Sequence, residues 1–140
     1  MLRGTPIVAA FSIFAVIASS QQTGRQWNTR KDNFPPDIFD NRSLDVARIA
    51  RDRCVVEIDN ERMRVIRVKL PVSSRVPIHN HRTGVVIALT DLHLQLTAPD
   101  RSVIDIRLPA GDMRWIDAGI HAWQSLGAAA VEYLFIESKG

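Results

Sequence analysis

The chain has 140 residues, enough for one domain of ordinary size. A hydrophobic fraction of 46% argues against disorder, and a net charge of +3 spread along the chain gives no basic patch of the kind nucleic acid requires. The single cysteine, Cys54, excludes an internal disulfide; its simplest reading is a small buried residue at the start of a strand, with an intermolecular bridge or a reactive thiol as alternatives.

Residues 1–20 have the layout of a secretory signal. Arg3 gives a positive start, Ile7 to Ala18 is almost wholly apolar, and Ala18-Ser19-Ser20 supplies small residues before polar Gln21-Gln22. The apolar run is shorter than the about 20 residues a membrane span needs. An uncleaved N-terminal anchor is the alternative; either way the remainder is expected to be periplasmic or secreted, with no membrane contact beyond this segment. Residues 21–50 read as a linker or arm. The stretch 21–43 is polar and aperiodic, with Asn28, Asn33, Pro35, Pro36 and Asn41, and a short helix is expected from Leu44 to Arg51, capped by Asn41 or Ser43.

The domain proper is expected over 51–140, where the hydrophobic period changes to two. Cys54 to Asp59 is one strand. Arg62 to Leu70 sets Met63, Val65, Val68 and Leu70 against Arg62, Arg64, Arg67 and Lys69, with a bulge expected at Ile66-Arg67 and the basic face in solvent. Further strands are expected at Val76 to His81, Val85 to Thr90, Leu92 to Thr97, Val103 to Leu108, Met113 to Ile116, Ile120 to Gln124 and Ala129 to Glu137, separated by turn sequences such as Pro99-Asp100-Arg101-Ser102 and Pro109-Ala110-Gly111-Asp112. About nine short strands at regular spacing, with no helix among them, predict a sandwich or a barrel.

Two imidazoles stand two residues apart at His79 and His81. On a strand they share a face, roughly 6.6 Å apart along it, so both can converge on one metal ion; a third, His121, lies beyond several strands and can close the site from across a barrel. Neutral imidazole is a ligand for Zn, Fe, Mn, Ni and Cu, so the ion's identity is open. Two surface histidines near a loop are the alternative.

The run Gly111-Asp112-Met113-Arg114-Trp115-Ile116-Asp117-Ala118-Gly119-Ile120-His121 resembles the second motif of the cupin family, and His79-Asn80-His81 resembles the core of the first. The resemblance covers roughly residues 54–137. It implies a double-stranded β-helix, or jelly-roll barrel, often dimeric, holding one divalent metal. Three of the family's four ligands carry over, as His79, His81 and His121. The family glutamate should fall at 85 or 86, and both are Val; Ser73 stands for the first glycine, Asp117 for a proline, and Ser125 for the closing asparagine. Three histidines without a carboxylate is a known variation in the superfamily.

Other residues keep two readings. Trp115 and Trp123 are core or rim packing, or they stack on a ligand. Gln95 and Gln124 are surface amides, or they donate to a ligand. His93 is an exposed histidine rather than a fourth ligand. Glu132 replaces the missing carboxylate as a partner behind the ligands only if its face of the last strand looks inward. No phosphate-binding glycine loop and no nucleophile elbow is present. The functions left open are a metal-dependent oxygenase- or isomerase-type enzyme on a small molecule, a non-catalytic module that binds or senses one, and a homodimer with a vestigial site.

Overall fold

The structure is a computed structural model, and it describes residues 42–140. The signal expected at 1–20 and the arm up to residue 41 lie outside the described residues. Among those described, no helix is long and apolar enough to cross a membrane.

Nine strands follow one turn of helix: β1 (Cys54–Asp59), β2 (Met63–Leu70), β3 (Arg75–His81), β4 (Gly84–Ala88), β5 (Leu92–Thr97), β6 (Val103–Leu108), β7 (Met113–Ile116), β8 (Gly119–Ser125) and β9 (Val131–Ser138). They form two antiparallel sheets, ordered β1-β2-β9-β4-β7 and β3-β8-β5-β6. This two-sheet barrel is the jelly-roll architecture expected from the alternation. Leu92, Leu94 and Leu96 of β5 are buried while His93, Gln95 and Thr97 face outward. On β9, Val131, Tyr133, Phe135 and Glu137 are buried and Glu132, Leu134 and Ile136 are partly exposed. The inward rows join Ile66, Val68, Leu70, Val76 and Leu108 in one core. Full burial of each such side chain contributes about 1.5–3 kcal/mol.

The helix is shorter than its sequence predicts. A 3-10 turn at Arg42–Leu44 leads into α1 (Val46–Ile49). Its cap is Asp45 rather than Asn41 or Ser43: the Asp45 carboxylate accepts the Ala47 backbone N–H at 2.8 Å. Asp45 also bridges to Asn80, which seats this turn against β3.

The bulge expected at Ile66-Arg67 is instead on the neighbouring strand. β2 pairs with β9 without a break, and the irregularity lies between Val56 and Ile58 of β1. Without that bulge the expected basic face of β2 does not form: Arg64 falls in the row of Ile66, Val68 and Leu70 and pairs with Asp45 and Glu137, while Arg67 lies on the outer face and pairs with Glu57 and Glu132.

A second irregularity bears on the site. In the β3–β8 ladder Val76 pairs with Trp123 but His79 pairs with His121, so β3 spends three steps where β8 spends two. The extra residue falls at Pro77-Ile78, and Pro77 has no N–H to give a ladder. Val76 and His79 are an odd number of residues apart, which in a regular strand puts them on opposite faces. With the bulge, both are buried at 1% exposure, while Ile78 is exposed.

Gly84 is where β4 meets β9. A Cβ there would lie 2.1 Å from the Ile136 carbonyl oxygen and 2.8 Å from a ring carbon of Phe135. The strands must separate to admit it. Gly84→Ala is therefore expected to cost about 1–3 kcal/mol, read as a lower urea midpoint at unchanged slope.

Candidate metal centre

His79 and His121 are directly paired across β3 and β8, and His81 is two residues on from His79 along the same inward face. The ring centroids of His79 and His121 are 4.8 Å apart, and those of His81 and His121 4.7 Å. All three side chains are buried, at 1%, 6% and 6% exposure. The structure thus brings together the three histidines singled out in the sequence.

Two of the rings are fixed by the backbone. His79 Nδ1 lies 2.8 Å from the Pro77 carbonyl oxygen and His81 Nδ1 2.9 Å from that of Arg82. A carbonyl only accepts, so each Nδ1 carries the proton and donates it. That leaves each Nε2 with its lone pair free, the tautomer a metal ligand needs. Burial pushes His79 down to about 4, with the His81 ring adding to the effect against the Pro77 hydrogen bond. Burial also lowers His81 and holds His121 well below the ordinary histidine range, the latter reinforced by its two neighbours. All three are neutral at neutral pH.

The donor set fits one divalent ion. Imidazoles bound to a common ion at ~2.1 Å hold their ring centroids about 4.5–5.2 Å apart, which brackets both spacings here. Among the described residues no group of three or more His, Cys, Asp or Glu side chains is already placed to hold a metal ion. His79 and His121 sit edge to face at 86°, and His81 and His121 at 47°. The backbone register sets the spacing of the rings, and rotation about the soft torsion between Cβ and the ring can re-aim their nitrogens.

The rings open onto an apolar cavity of about 50 Å³, walled by the inward leucines of β5 together with Trp123, Tyr133 and Phe135. The Trp123 ring packs 5.1 Å from His79 and 5.2 Å from Tyr133. Trp115 does not reach this cavity. It is 60% exposed, because Arg114 and Ile116 take the inward positions of β7. Gln95 is likewise on the outer face of β5, opposite Asp105 and Gln124. A ligand in the cavity would meet Trp123 and neither of the other two. His93 bonds Asp105 on that outer face at 3.0 Å. Cys54 is buried, and desolvation with nearby Asp52 pushes its thiol up to about 12, which removes the nucleophilic thiolate at neutral pH.

Glu132 does not supply the missing carboxylate. Its face of β9 looks outward, where it accepts from Arg67 at 2.7 Å and lies 3.6 Å from Lys69. The buried carboxylate is Glu137, at 1% exposure, accepting from Arg64 Nε at 2.6 Å and from the Arg82 backbone N–H at 3.1 Å. It lines a polar cleft of about 400 Å³ that His81 also borders. Sequence reasoning passed over it, although Glu137 simply continues the inward row Val131, Tyr133, Phe135.

No family model matches the sequence, and no curated protein does. Among solved structures, a cupin domain from Bordetella pertussis Tohama I superposes with a TM-score of 0.58 at 26% identity, covering 62% of this chain and 92% of that one. The chain belongs to the cupin superfamily. Two more distant structures are an RmlC-like cupin with a double-stranded β-helix from Methanocaldococcus jannaschii (17% identity, TM-score 0.47, 61% of this chain and 79% of that one) and the polyketide cyclase RemF from Streptomyces resistomycificus (15%, 0.48, 62% and 64%). The cupin's strands β3 and β8 carry the three candidate ligands, as the two motifs imply.

Buried neutral imidazoles leave a signature in acid. Their folded pKa values lie below the unfolded value of about 6.5, so the unfolded chain binds more protons. Their contribution is complete above about pH 6.5 and is lost as pH falls toward 4. In chelator-treated protein the unfolding free energy should drop between those limits by up to about 1.4 kcal/mol per pH unit per histidine. Urea titrations across this range check it, and His121→Ala should flatten the slope.

Proposed function

We propose that this cupin binds one divalent transition metal (Fe, Mn, Zn, Ni or Cu) through His79, His81 and His121, and takes a small molecule into the adjoining cavity. One observation carries the reading: three buried, neutral imidazoles share one face, and two of them have Nδ1–H tied to backbone carbonyls. A divalent ion would take up the Nε2 lone pairs that these tautomers leave open.

In this mechanism the chain's own groups orient and exclude. The Pro77 and Arg82 carbonyls hold the His79 and His81 tautomers, and the β5 leucines with Phe135 keep water out. A bound divalent ion would supply Lewis-acid polarisation or, for a redox metal, electron transfer, with full charge because no carboxylate ligand offsets it. An oxygenase- or isomerase-type reaction on a small molecule is the enzymatic form of this reading. A module that binds or senses the same molecule without turnover is the alternative, and oxygen consumption or product formation by the loaded protein separates the two.

Metal content by mass spectrometry on untagged protein tests the site. One equivalent is expected in the parent and none in the His79→Ala/His81→Ala variant. A parent still empty after soaking in Fe, Mn, Zn, Ni and Cu salts would overturn it.

We also propose that the chain is a homodimer. Cross-strand pairing puts Val85, Ile87, Met113, Trp115, Leu134 and Ile136 on one outer face of the β9-β4-β7 sheet. Met113 is 66% and Trp115 60% exposed at the β7 edge of that apolar surface, and a second copy is the occupant the family resemblance suggests. Trp115→Glu should convert a dimer to a monomer in sedimentation equilibrium, and a parent already monomeric at tens of micromolar would refute the assembly.

A further inference from the structure

Among the described residues, four buried side-chain polar atoms have no hydrogen-bond partner in the protein: Ser74 Oγ, Ser125 Oγ, Trp123 Nε1 and Tyr133 Oη. Two of their residues, Trp123 and Tyr133, form part of the wall of the histidine cavity. Their rings touch, with centroids 5.2 Å apart at 75°. Native interiors rarely leave such groups unpaired, and those left are characteristic of sites that receive something.

The chemistry of the two groups narrows what that is. An indole N–H only donates, and a phenol O–H donates best. Both therefore call for an acceptor. The remaining wall offers almost none, being leucine, valine, isoleucine and phenylalanine apart from the three imidazoles, Arg114 and Asp117. The imidazole Nε2 lone pairs are committed once they hold an ion. The charged residues in the wall are one of each sign, so the site selects for an acceptor oxygen rather than for a charge.

Size narrows it further. The cavity is about 50 Å³. At roughly 10–15 Å³ of such volume per water, it admits about three to five non-hydrogen atoms. The benzene-binding cavities of engineered proteins are about three times larger, on the order of 150 Å³.

We propose that Trp123 Nε1–H and Tyr133 Oη–H are a paired donor site for the oxygen of a small carbonyl or carboxylate compound of about three to five non-hydrogen atoms, held against the histidine face. The proposal rests on the reading of this cavity as a small-molecule site, and it assigns the class of molecule. Both side chains act as binding residues. The unpaired hydroxyl weakens the empty fold and strengthens the loaded one, the trade common at binding sites.

The test is the indole N–H resonance that Trp123→Phe removes, followed in the full-length protein. Acetate is titrated into zinc-loaded protein, and acetone, a neutral acceptor of the same size, into chelated protein. The expected result is a saturable downfield shift with at least one probe, none with benzoate, and at least tenfold weaker binding in Tyr133→Phe, which keeps its zinc. Tyr133→Phe without probe should also hold or raise its thermal midpoint. A fall of more than about 5 °C would mean that the hydroxyl is already bonded within the fold, and would overturn the proposal. So would an indole resonance that neither probe moves, because the donors then hold water alone. If zinc is not taken up but acetone still shifts the resonance, the metal reading fails and the donor pair stands.

Discussion

The β3–β8 pairing is the constraint on which this molecule's chemistry depends. It sets His79 opposite His121, and the bulge at Pro77-Ile78 turns His79 and His81 to the inside of the barrel. Remove the extra residue and Val76 and the two histidines can no longer share a face. The same local irregularity frees the Pro77 carbonyl to accept from His79 Nδ1. One proline in a strand thus does three things. It breaks the ladder where an N–H is lacking, re-aims two ligands, and helps choose the tautomer of one of them.

Placing three polar rings in a dry interior is unfavourable by itself, and the surroundings are built to hold them there. Behind His81 lies a buried ionic clamp. Glu137 accepts from Arg64 and from the Arg82 backbone, and Arg64 also pairs with Asp45 at the cap of α1. Burial pulls the Arg64 guanidinium down, yet Glu137 and Asp45 outweigh it and leave it raised. Desolvated pairs of this kind add little net stability over well-packed apolar residues. Their effect here is geometric, tying α1, β2, β9 and the turn after β3 around the histidine strand. Asp45, which also bridges to Asn80, is the joint of that frame.

Much of this was legible from period two alone. The nine strands and the inward leucines of β5 follow from alternation, because a half-buried strand has no other way to hide its apolar side chains; the last strand is apolar on both faces, so alternation leaves its inward row open. The three histidines followed from spacing. What failed were statements that needed a register. Trp115 reads from sequence as packing or as stacking on a ligand, and Arg114 and Ile116 take the inward positions of β7. Glu132 was considered as a carboxylate partner, while the inward carboxylate of β9 is five residues further on. Adjoining apolar Val65 and Ile66 point to a bulge at Ile66-Arg67, and it lies instead on the strand across from them. Asp45 displaced the two expected caps because it also answers Arg64, a partner nineteen residues away that local reasoning does not see.

The missing glutamate and the unpaired donors bear on each other. A carboxylate ligand would neutralise half of a divalent ion's charge and would itself accept hydrogen bonds in the cavity. At the two positions where the family places it this chain has Val85 and Val86; Val86 packs against the core and Val85 faces outward. An ion held by three neutral imidazoles keeps its full charge toward the cavity, and Trp123 and Tyr133 keep their donors there without a resident acceptor. Both deficits have one sign: each is met by an oxygen carrying negative or partial negative charge. A carbonyl or carboxylate oxygen answers the ion and the donors together, where a hydrocarbon answers neither and a cation is repelled by both. The loss of the family carboxylate is thereby read as a change of what the barrel selects, from a site that completes its own polar set to one that leaves the last acceptor to its ligand.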